Sequence, residues 1–411
     1  MDSSYQPRIV LPVAFGRLAW SNLLAQCAEQ VGLAAAPLVA VFVLGASAGQ
    51  TGLLQTAQTL PFLLLSLPMG VWADRHSRRG LMAGAEAVRV LAMLAVLMLI
   101  GMHLLTLPLL AVCGFIGAAG TVAYGVAAPS LVAALVPREA LPVANGRIEL
   151  ARSVAYSAGP AIGGVVVGSI GAGWAYGLAA LLSALAAVLL RALPASPHEA
   201  RAARRFLDEL RDGTAFVFRD RLLRPILLTA VFFNIGYFVL QAVYVAYAAR
   251  HLHMSSQVIG VSLAAYGVGM VAGALAGPWV TRRMAFGRTL VIGPLCGFLA
   301  SLLMSATLVF AHPSLACASF FLLGAGPILW TIGSTTLRQA ITPQAMLGRV
   351  SAIVSTATYG ARPVGALIGA ALATHMGVAA CLLASMAAFA VQLIVIVRSP
   401  VSRLAALPAA A

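Results

Sequence analysis

The sequence predicts an all-α membrane protein with twelve transmembrane helices in two pseudo-symmetric six-helix halves. Three observations predict it: an apolar composition, twelve separate apolar segments, and arginines gathered on one side of those segments. Hydrophobic residues make up 61% of the 411 residues and charged residues 9%, and the mean hydropathy is +0.96. A soluble domain carries about a quarter charged residues and under half apolar ones. An ordinary soluble enzyme, a disordered chain and a secreted disulfide scaffold are therefore excluded.

The segments lie at about 17–44, 51–73, 81–102, 108–134, 146–170, 172–193, 223–249, 257–280, 288–311, 313–336, 348–373 and 376–397. A helix needs about 20 apolar residues to cross the hydrocarbon core and a barrel strand about ten. These lengths fit helices, which satisfy their own backbone groups in lipid. The first segment is too long for a cleavable signal peptide.

The basic residues set direction. All 26 are arginine, and 22 of them flank the segments on one side. They include Arg8 and Arg17, the group Arg75, Arg78 and Arg79, eight between positions 191 and 224, the group Arg282, Arg283 and Arg288, and Arg398 with Arg403. Arg250 stands alone on the other side. The positive-inside rule puts the arginine-rich side, and both termini, in the cytoplasm. The formal charge of +15 does not point to nucleic acid, because a nucleic-acid binder gathers its basic residues on one solvated face. The expected setting is a bacterial inner membrane, with the lipid bilayer as partner and a monomeric chain.

Residues 194–222 form the only long polar stretch. They divide the chain into a half at 1–193 and a half at 223–398, followed by a tail at 399–411. Within the stretch, Ala200–Phe218 mixes Arg and Asp with Phe206, Leu207, Leu210, Phe216 and Val217. That mixture suits a helix lying on the cytoplasmic surface, and a plain tether is the alternative. The halves repeat each other weakly. Gly70-Val-Trp72 recurs as Gly277-Pro-Trp279 after 207 positions, and Gly146-Arg147 recurs as Gly348-Arg349 after 202. Duplicated halves of this kind place a substrate site near the midplane between them.

Polar residues inside the spans mark that site, since each is costly in lipid and normally faces a cavity. The first segment carries Asn22, Gln26, Glu29 and Gln30, which fall within about 100° of one another on a helix. The seventh carries Asn234, Tyr237, Gln241 and Tyr244 within about 80°. Two polar stripes on equivalent helices fit the facing walls of one cavity; interhelical hydrogen bonding is the plainer reading.

Of the 11 acidic residues, Glu29, Glu86 and Glu149 lie inside segments, and none follows Arg221. A proton carried on a carboxylate must therefore use the first half. Glu29 is the candidate, being deepest and on the polar stripe, where a carboxyl group can hold a proton. Glu86 and Glu149 lie nearer the cytoplasmic ends, each with an arginine three residues on (Arg89, Arg152), which suits helix-surface or gate ion pairs. Arg362 lies inside the eleventh segment with no acid in its half. It is expected to pair with Glu29 or to meet an anionic cargo, with Arg152 as a second choice. Arg362, Arg152 and the tyrosines Tyr124, Tyr156, Tyr237, Tyr244, Tyr266 and Tyr359 would suit a catecholate or carboxylate cargo; an interfacial or packing role is the equal alternative for the tyrosines.

Two motifs carry a resemblance. The loop after the second segment reads Gly70-Val-Trp-Ala-Asp74-Arg75-His-Ser77-Arg78-Arg79. It resembles the loop signature of the major facilitator superfamily, with Ser77 where a glycine is usual. The resemblance implies that Gly70 allows close helix approach, and that Asp74 with Arg75, Arg78 and Arg79 latches the cytoplasmic gate. The fifth segment carries Gly146, Gly159, Pro160, Gly163 and Gly164. This set is similar to a motif of the drug-exporting antiporters of that superfamily, with Ala155 at a further glycine position. Tyr176-Gly-Leu-Ala-Ala180 and Thr342-Pro343 ahead of Met346-Leu-Gly-Arg349 resemble the branch that holds siderophore and macrolide exporters. That branch implies outward movement of a bulky molecule driven by proton entry.

Other chemistries find no support. Gly45-Ala-Ser47-Ala-Gly49 matches a serine-hydrolase elbow but lies in a short turn between helices. The seven histidines show no metal-ligand spacing, and without lysine no phosphate loop can form. The five cysteines lie in apolar stretches and suit packing. No cofactor is expected. The reading is a non-enzymatic secondary transporter that exports a siderophore or a drug-like amphiphile in exchange for protons, as a siderophore or multidrug efflux protein does. An importer or facilitator on the same fold, or a membrane sensor that has lost transport, are the alternatives.

Overall fold

The computed structural model describes residues 11–137, 140–194, 214–343 and 346–408, and among them there is no strand. The expected surface helix at Ala200–Phe218 falls largely outside the described residues; 214–219 are helical. The first half contains α1 (Val13–Phe42), α2 (Ala48–Leu64), α3 (Ser66–Arg75), α4 (Arg78–Gly101), α5 (Leu107–Leu135), α6 (Leu141–Ser169) and α7 (Ala172–Arg191). The second contains α8 (Leu223–Arg250), α9 (Ser256–Arg283), α10 (Phe286–Ala306), α11 (Pro313–Ile341), α12 (Leu347–His375) and α13 (Val378–Arg398).

Ten of these helices, namely α1, α4 to α11 and α13, are long and apolar enough to cross a membrane. The two remaining expected segments are α2 with α3, and the more polar α12. The segment expected as one span at 51–73 is broken at Leu65, which leaves the helical path at ψ −12°. Pro68 offers no N–H to the carbonyl of Leu64, four residues back, so the ladder fails there. The outer surface is apolar, with Leu91, Leu181, Val188 and Leu275 each more than half exposed. Such a surface belongs in lipid.

The helix pairings of the first half recur in the second. In the first, α1 packs on α6 and α7, α4 on α5 and α7, and α2 on α5. In the second, α8 packs on α12 and α13, α10 on α11 and α13, and α9 on α11. Each half has its own core. Phe15, Leu18, Met82, Leu131 and Leu190 meet in one, and Tyr244, Met304, Phe320 and Phe389 in the other.

The halves meet along α6–α9, α2–α12 and α2–α8. Apolar helices gain little from meeting each other in lipid, so close van der Waals approach must hold such seams. Glycines permit it: a Cβ on Gly164 would lie 2.7 Å from the Cα of Gly260, and one on Gly52 would lie 2.7 Å from the Cα of Ala370. Hydrogen bonds join the same end, away from the arginine-rich one. Thr51 donates to the carbonyl of Ala242 at 2.9 Å. Arg250 donates to the carbonyls of Gly45 at 3.0 Å and Ala46 at 2.7 Å. At the arginine-rich end, Gly70 and Gly146 have nothing within 4 Å of where a Cβ would point. The halves are thus sealed at one end. Ser47 takes part in that end as a helix cap: it accepts from the Gln50 N–H while the Gln50 side chain accepts from its own, which accounts for a serine between two glycines there.

Candidate substrate cavity

Between the halves lies a cavity of about 260 Å³. Glu29 and Gln30 of α1 line its first-half wall, and Asn234, Tyr237 and Gln241 of α8 line its second-half wall, with Arg362 of α12 beside them. The two polar stripes therefore do face one space, over part of their length.

Among the described residues no carboxylate pairs with Arg362. Its Nε donates to Asn234 Oδ1 at 3.4 Å, and its guanidinium carbon lies 4.4 Å from the ring centre of Tyr359, 5.1 Å from Phe62 and 5.5 Å from Phe238. The expected ion pair with Glu29 is not formed. Ring faces instead offer the guanidinium their negative quadrupole, so it stands beside the cavity without an ion-pair partner among the described residues. A second aromatic group crosses the seam: Tyr156 of α6 lies 5.9 Å from Tyr266 of α9, which lies 5.6 Å from Tyr237. Tyr237 stacks on Phe233 at 5.8 Å and accepts a hydrogen bond from Gln241 at 2.7 Å.

Five expected cavity residues stand elsewhere. Tyr244 is fully buried in the second-half core, bonded to Ser262 and edge-on to Phe320. It lies at the edge of its stripe and turns toward Ser262 of α9 and Phe320 of α11, while Val245, the next residue along α8, lines the cavity. Arg152 pairs with Glu149 one turn away at 3.3 Å, with side chains 40% and 54% exposed, and does not line the cavity. Asn22 is buried and Gln26 half-buried, both nearer the arginine-rich end of α1 than the cavity lining. Tyr359 touches Arg362 and Phe62 without lining the cavity itself.

Sequence reasoning missed α2 and part of α4. Gln55, Gln58, Thr59 and Phe62 line the cavity, and their spacing of 0, 3, 4 and 7 is itself a helix stripe. Arg89 lines it too. The Glu86–Arg89 pair, expected at a helix surface or gate, is buried inside the first half at 2.7 Å with side chains 0% and 3% exposed. Gln30 Nε2, Gln58 Oε1 and Tyr176 Oη are buried without a protein partner, on residues that line the cavity. Buried polar atoms normally find a partner, so this wall offers unmet hydrogen-bonding groups. Cys113, expected to serve packing, also lines the cavity. Among the described residues no group of three His, Cys, Asp or Glu is placed to hold a metal ion.

The family model of the Major Facilitator Superfamily matches residues 18–365. The chain belongs to that superfamily. It is 29% identical over 314 residues to the enterobactin exporter EntS of Citrobacter koseri, covering 75% of this chain and 72% of that one. Among solved structures, it is similar to the peptide transporter POT, with a TM-score of 0.79 at 12% identity over 97% of each chain. It is also similar to a bacterial homologue of the iron transporter ferroportin, with a TM-score of 0.75 at 16% identity over 94% of this chain and 98% of that one. The protein is a multi-pass membrane transporter of small molecules, and not an enzyme.

The superfamily motifs occupy distinct places. Pro160 and Gly159 to Gly164 lie where α6 is pressed between α1 and α9. A Cβ on Gly159 would strike Gln30, and one on Gly163 would lie 3.2 Å from the Val31 carbonyl. Pro160 reaches the cavity, and its carbonyl lies 2.7 Å from where a Cβ on Gly260 would sit. Gly70, expected to allow close helix approach, makes none here. Ser77 caps α4 by accepting from the Gly80 N–H at 3.2 Å, so the serine supplies turn chemistry of its own. Arg79 donates to the carbonyl of Leu193 within its own half. Arg78 is half-buried, and the side chains of Asp74 and Arg75 lie outside the described residues.

Proposed function

We propose that the protein exports a small anionic aromatic molecule of the catecholate siderophore class and admits protons in exchange. Arg362 carries this reading. A guanidinium set among three aromatic rings beside the cavity, with no ion pair among the described residues, suits a guest that is itself aromatic and negatively charged. The Tyr156–Tyr266–Tyr237 ladder adds a surface for a second ring. The relative named an enterobactin exporter supports the same cargo class and the outward direction.

The arginine-rich end is cytoplasmic in this reading, and both termini lie there. The seal at the other end then makes this an inward-open state, into which cargo enters from the cytoplasm. Glu29, on the wall across the cavity from α8, carries the proton. Asp74 with Arg75, Arg78 and Arg79 closes the cytoplasmic end in the alternate state, while the Gly159–Gly164 seam parts. Transport by a single chain in the inner membrane completes the account.

The test is uptake into everted inner-membrane vesicles, in which export becomes accumulation. A tris-catecholate, a hydroxamate siderophore and a macrolide are supplied in turn under respiration. Accumulation of the catecholate, abolished by a proton ionophore, is the expected result. Accumulation of only the macrolide would overturn the cargo class, and catecholate loss from preloaded vesicles would overturn the direction.

A further inference from the structure

Beneath the cavity wall lies a buried charge cluster that the exchange described above does not use. Glu86 and Arg89 of α4 pair inside the first half. Glu86 accepts a second hydrogen bond, from Ser183 of α7. Arg89 uses its other terminal nitrogen to reach α1, donating to the carbonyl of Ala25 at 2.9 Å. Gly120 of α5 makes room for it, since a Cβ there would lie 2.8 Å from Arg89 Cγ.

Ala25 stands one turn before Glu29 on α1, and residues four apart on a helix share a face about 6 Å apart. Arg89 and Glu29 also line the same cavity. The other charged groups nearest Glu29 are Glu86, Arg362 and Arg152. Facing the same cavity are Cys113 on α5, Tyr156 on α6, Tyr237 on α8 and Tyr266 on α9, with Tyr124 of α5 buried nearby. From α2 and α7 only amide and hydroxyl groups approach, those of Gln55, Gln58, Tyr176 and Ser183.

We infer that Arg89 is a shared counter-charge that moves between Glu86 and Glu29 as Glu29 loses and regains its proton. The inference rests on Glu29 being the proton site. With Glu29 protonated, Glu86 and Arg89 neutralise each other, as the structure has them. When the Glu29 carboxyl gives its proton to cavity water, the carboxylate left behind draws one arm of the Arg89 fork from the Ala25 carbonyl, one turn away. Glu86 keeps the other arm and its bond from Ser183. The cluster then carries one negative charge spread over two carboxylates. Arg89 thereby sets how readily Glu29 releases its proton, as a positioning residue that never touches cargo.

Infrared difference spectra of the purified, reconstituted protein, titrated with acid, test this without any cargo. The carboxylic-acid band absent from Glu29→Gln reports Glu29. In Glu86→Gln, Arg89 is free to stay on Glu29, so the midpoint of that band should fall by about one pH unit or more. Ser183→Ala, which removes a single hydrogen bond and spares the ion pair, should move it the other way, because Glu86 then holds Arg89 more tightly. Unchanged midpoints in both variants would overturn the shared counter-charge while leaving Glu29 as proton site. If Glu29→Gln loses no titrating band, the underlying reading is overturned instead. If Glu86→Gln fails to fold, the direction of the Ser183→Ala shift decides alone.

Discussion

Gly164 of α6 and Gly260 of α9 oppose each other across the seam between the halves, each occupying the space where the other's Cβ would be. The contact exists only with two residues that lack side chains. It lies at the sealed end, where transport requires opening and closing. A side chain at either position wedges the seam. Overpacking costs about 1–3 kcal/mol, which shifts a two-state equilibrium by about 5- to 150-fold. Gly164→Leu and Gly260→Leu should therefore reside in the state open at this end and transport poorly. Amide hydrogen exchange at 254–262 should accelerate in the membrane-inserted variants; unchanged exchange with lost transport would point to a different role for the seam.

Arg250 is the sole arginine on its side of the sequence, and it bridges two carbonyls of the opposite half. Removing it should loosen the same seal by a smaller amount. Hydrogen bonds from a charged donor at an exposed site are worth about 1–2 kcal/mol together, or about 5- to 30-fold in population. Arg250→Ala should speed exchange at 45–52. One guanidinium nitrogen donates to both carbonyls, so Arg250→Lys should recover part of the protection, losing the rest to the stronger hydration and looser placement of an ammonium.

Arg362 should be intolerant of conservative change. Lysine keeps the charge but loses the planar face that lies against Tyr359, Phe62 and Phe238. The expected effect of Arg362→Lys is a rise of about tenfold or more in KM for a catecholate probe with little change in maximal rate. Arg362→Gln should cost more. Equal KM in all three proteins, measured by vesicle uptake, would remove Arg362 from the cargo site.

The buried pair makes a prediction about stability. Removing one partner of such a pair leaves an uncompensated charge and costs about 3–5 kcal/mol, while replacing both is nearly neutral. Arg89→Met should unfold at a markedly lower temperature in detergent. Arg89→Met with Glu86→Gln should recover most of the loss.

Much of this was legible in the sequence, and the failures have physical causes. Segment lengths and arginine placement predict the helices well, because lipid permits few alternatives. Glu29, Gln30, Asn234, Tyr237 and Gln241 face the cavity as their spacing implies. Asn22 does not, because angular position fixes a helix face but not the depth at which a cavity begins and ends; Tyr244 does not, because it sits at the edge of its stripe and turns into the core against Ser262 and Phe320. Glu86 and Arg89 were legible as a pair and illegible as a core element: distance from a helix end says nothing about the three neighbouring helices that cover it. The Gln55–Phe62 stripe carried the same signal as the others, in residues that draw less notice than charges. The rings around Arg362 come from positions as far apart as Phe62 and Tyr359, and no local pattern connects them.

The central claim is that cargo leaves in exchange for protons carried by Glu29. It is tested most directly in everted vesicles acidified by respiration, with a pH-sensitive fluorophore inside. Adding the tris-catecholate should raise the internal pH as protons leave, and Glu29→Gln, inserted at the same level, should abolish the response. A response of equal size in Glu29→Gln, or none in the unaltered protein while the catecholate still accumulates, would contradict the account.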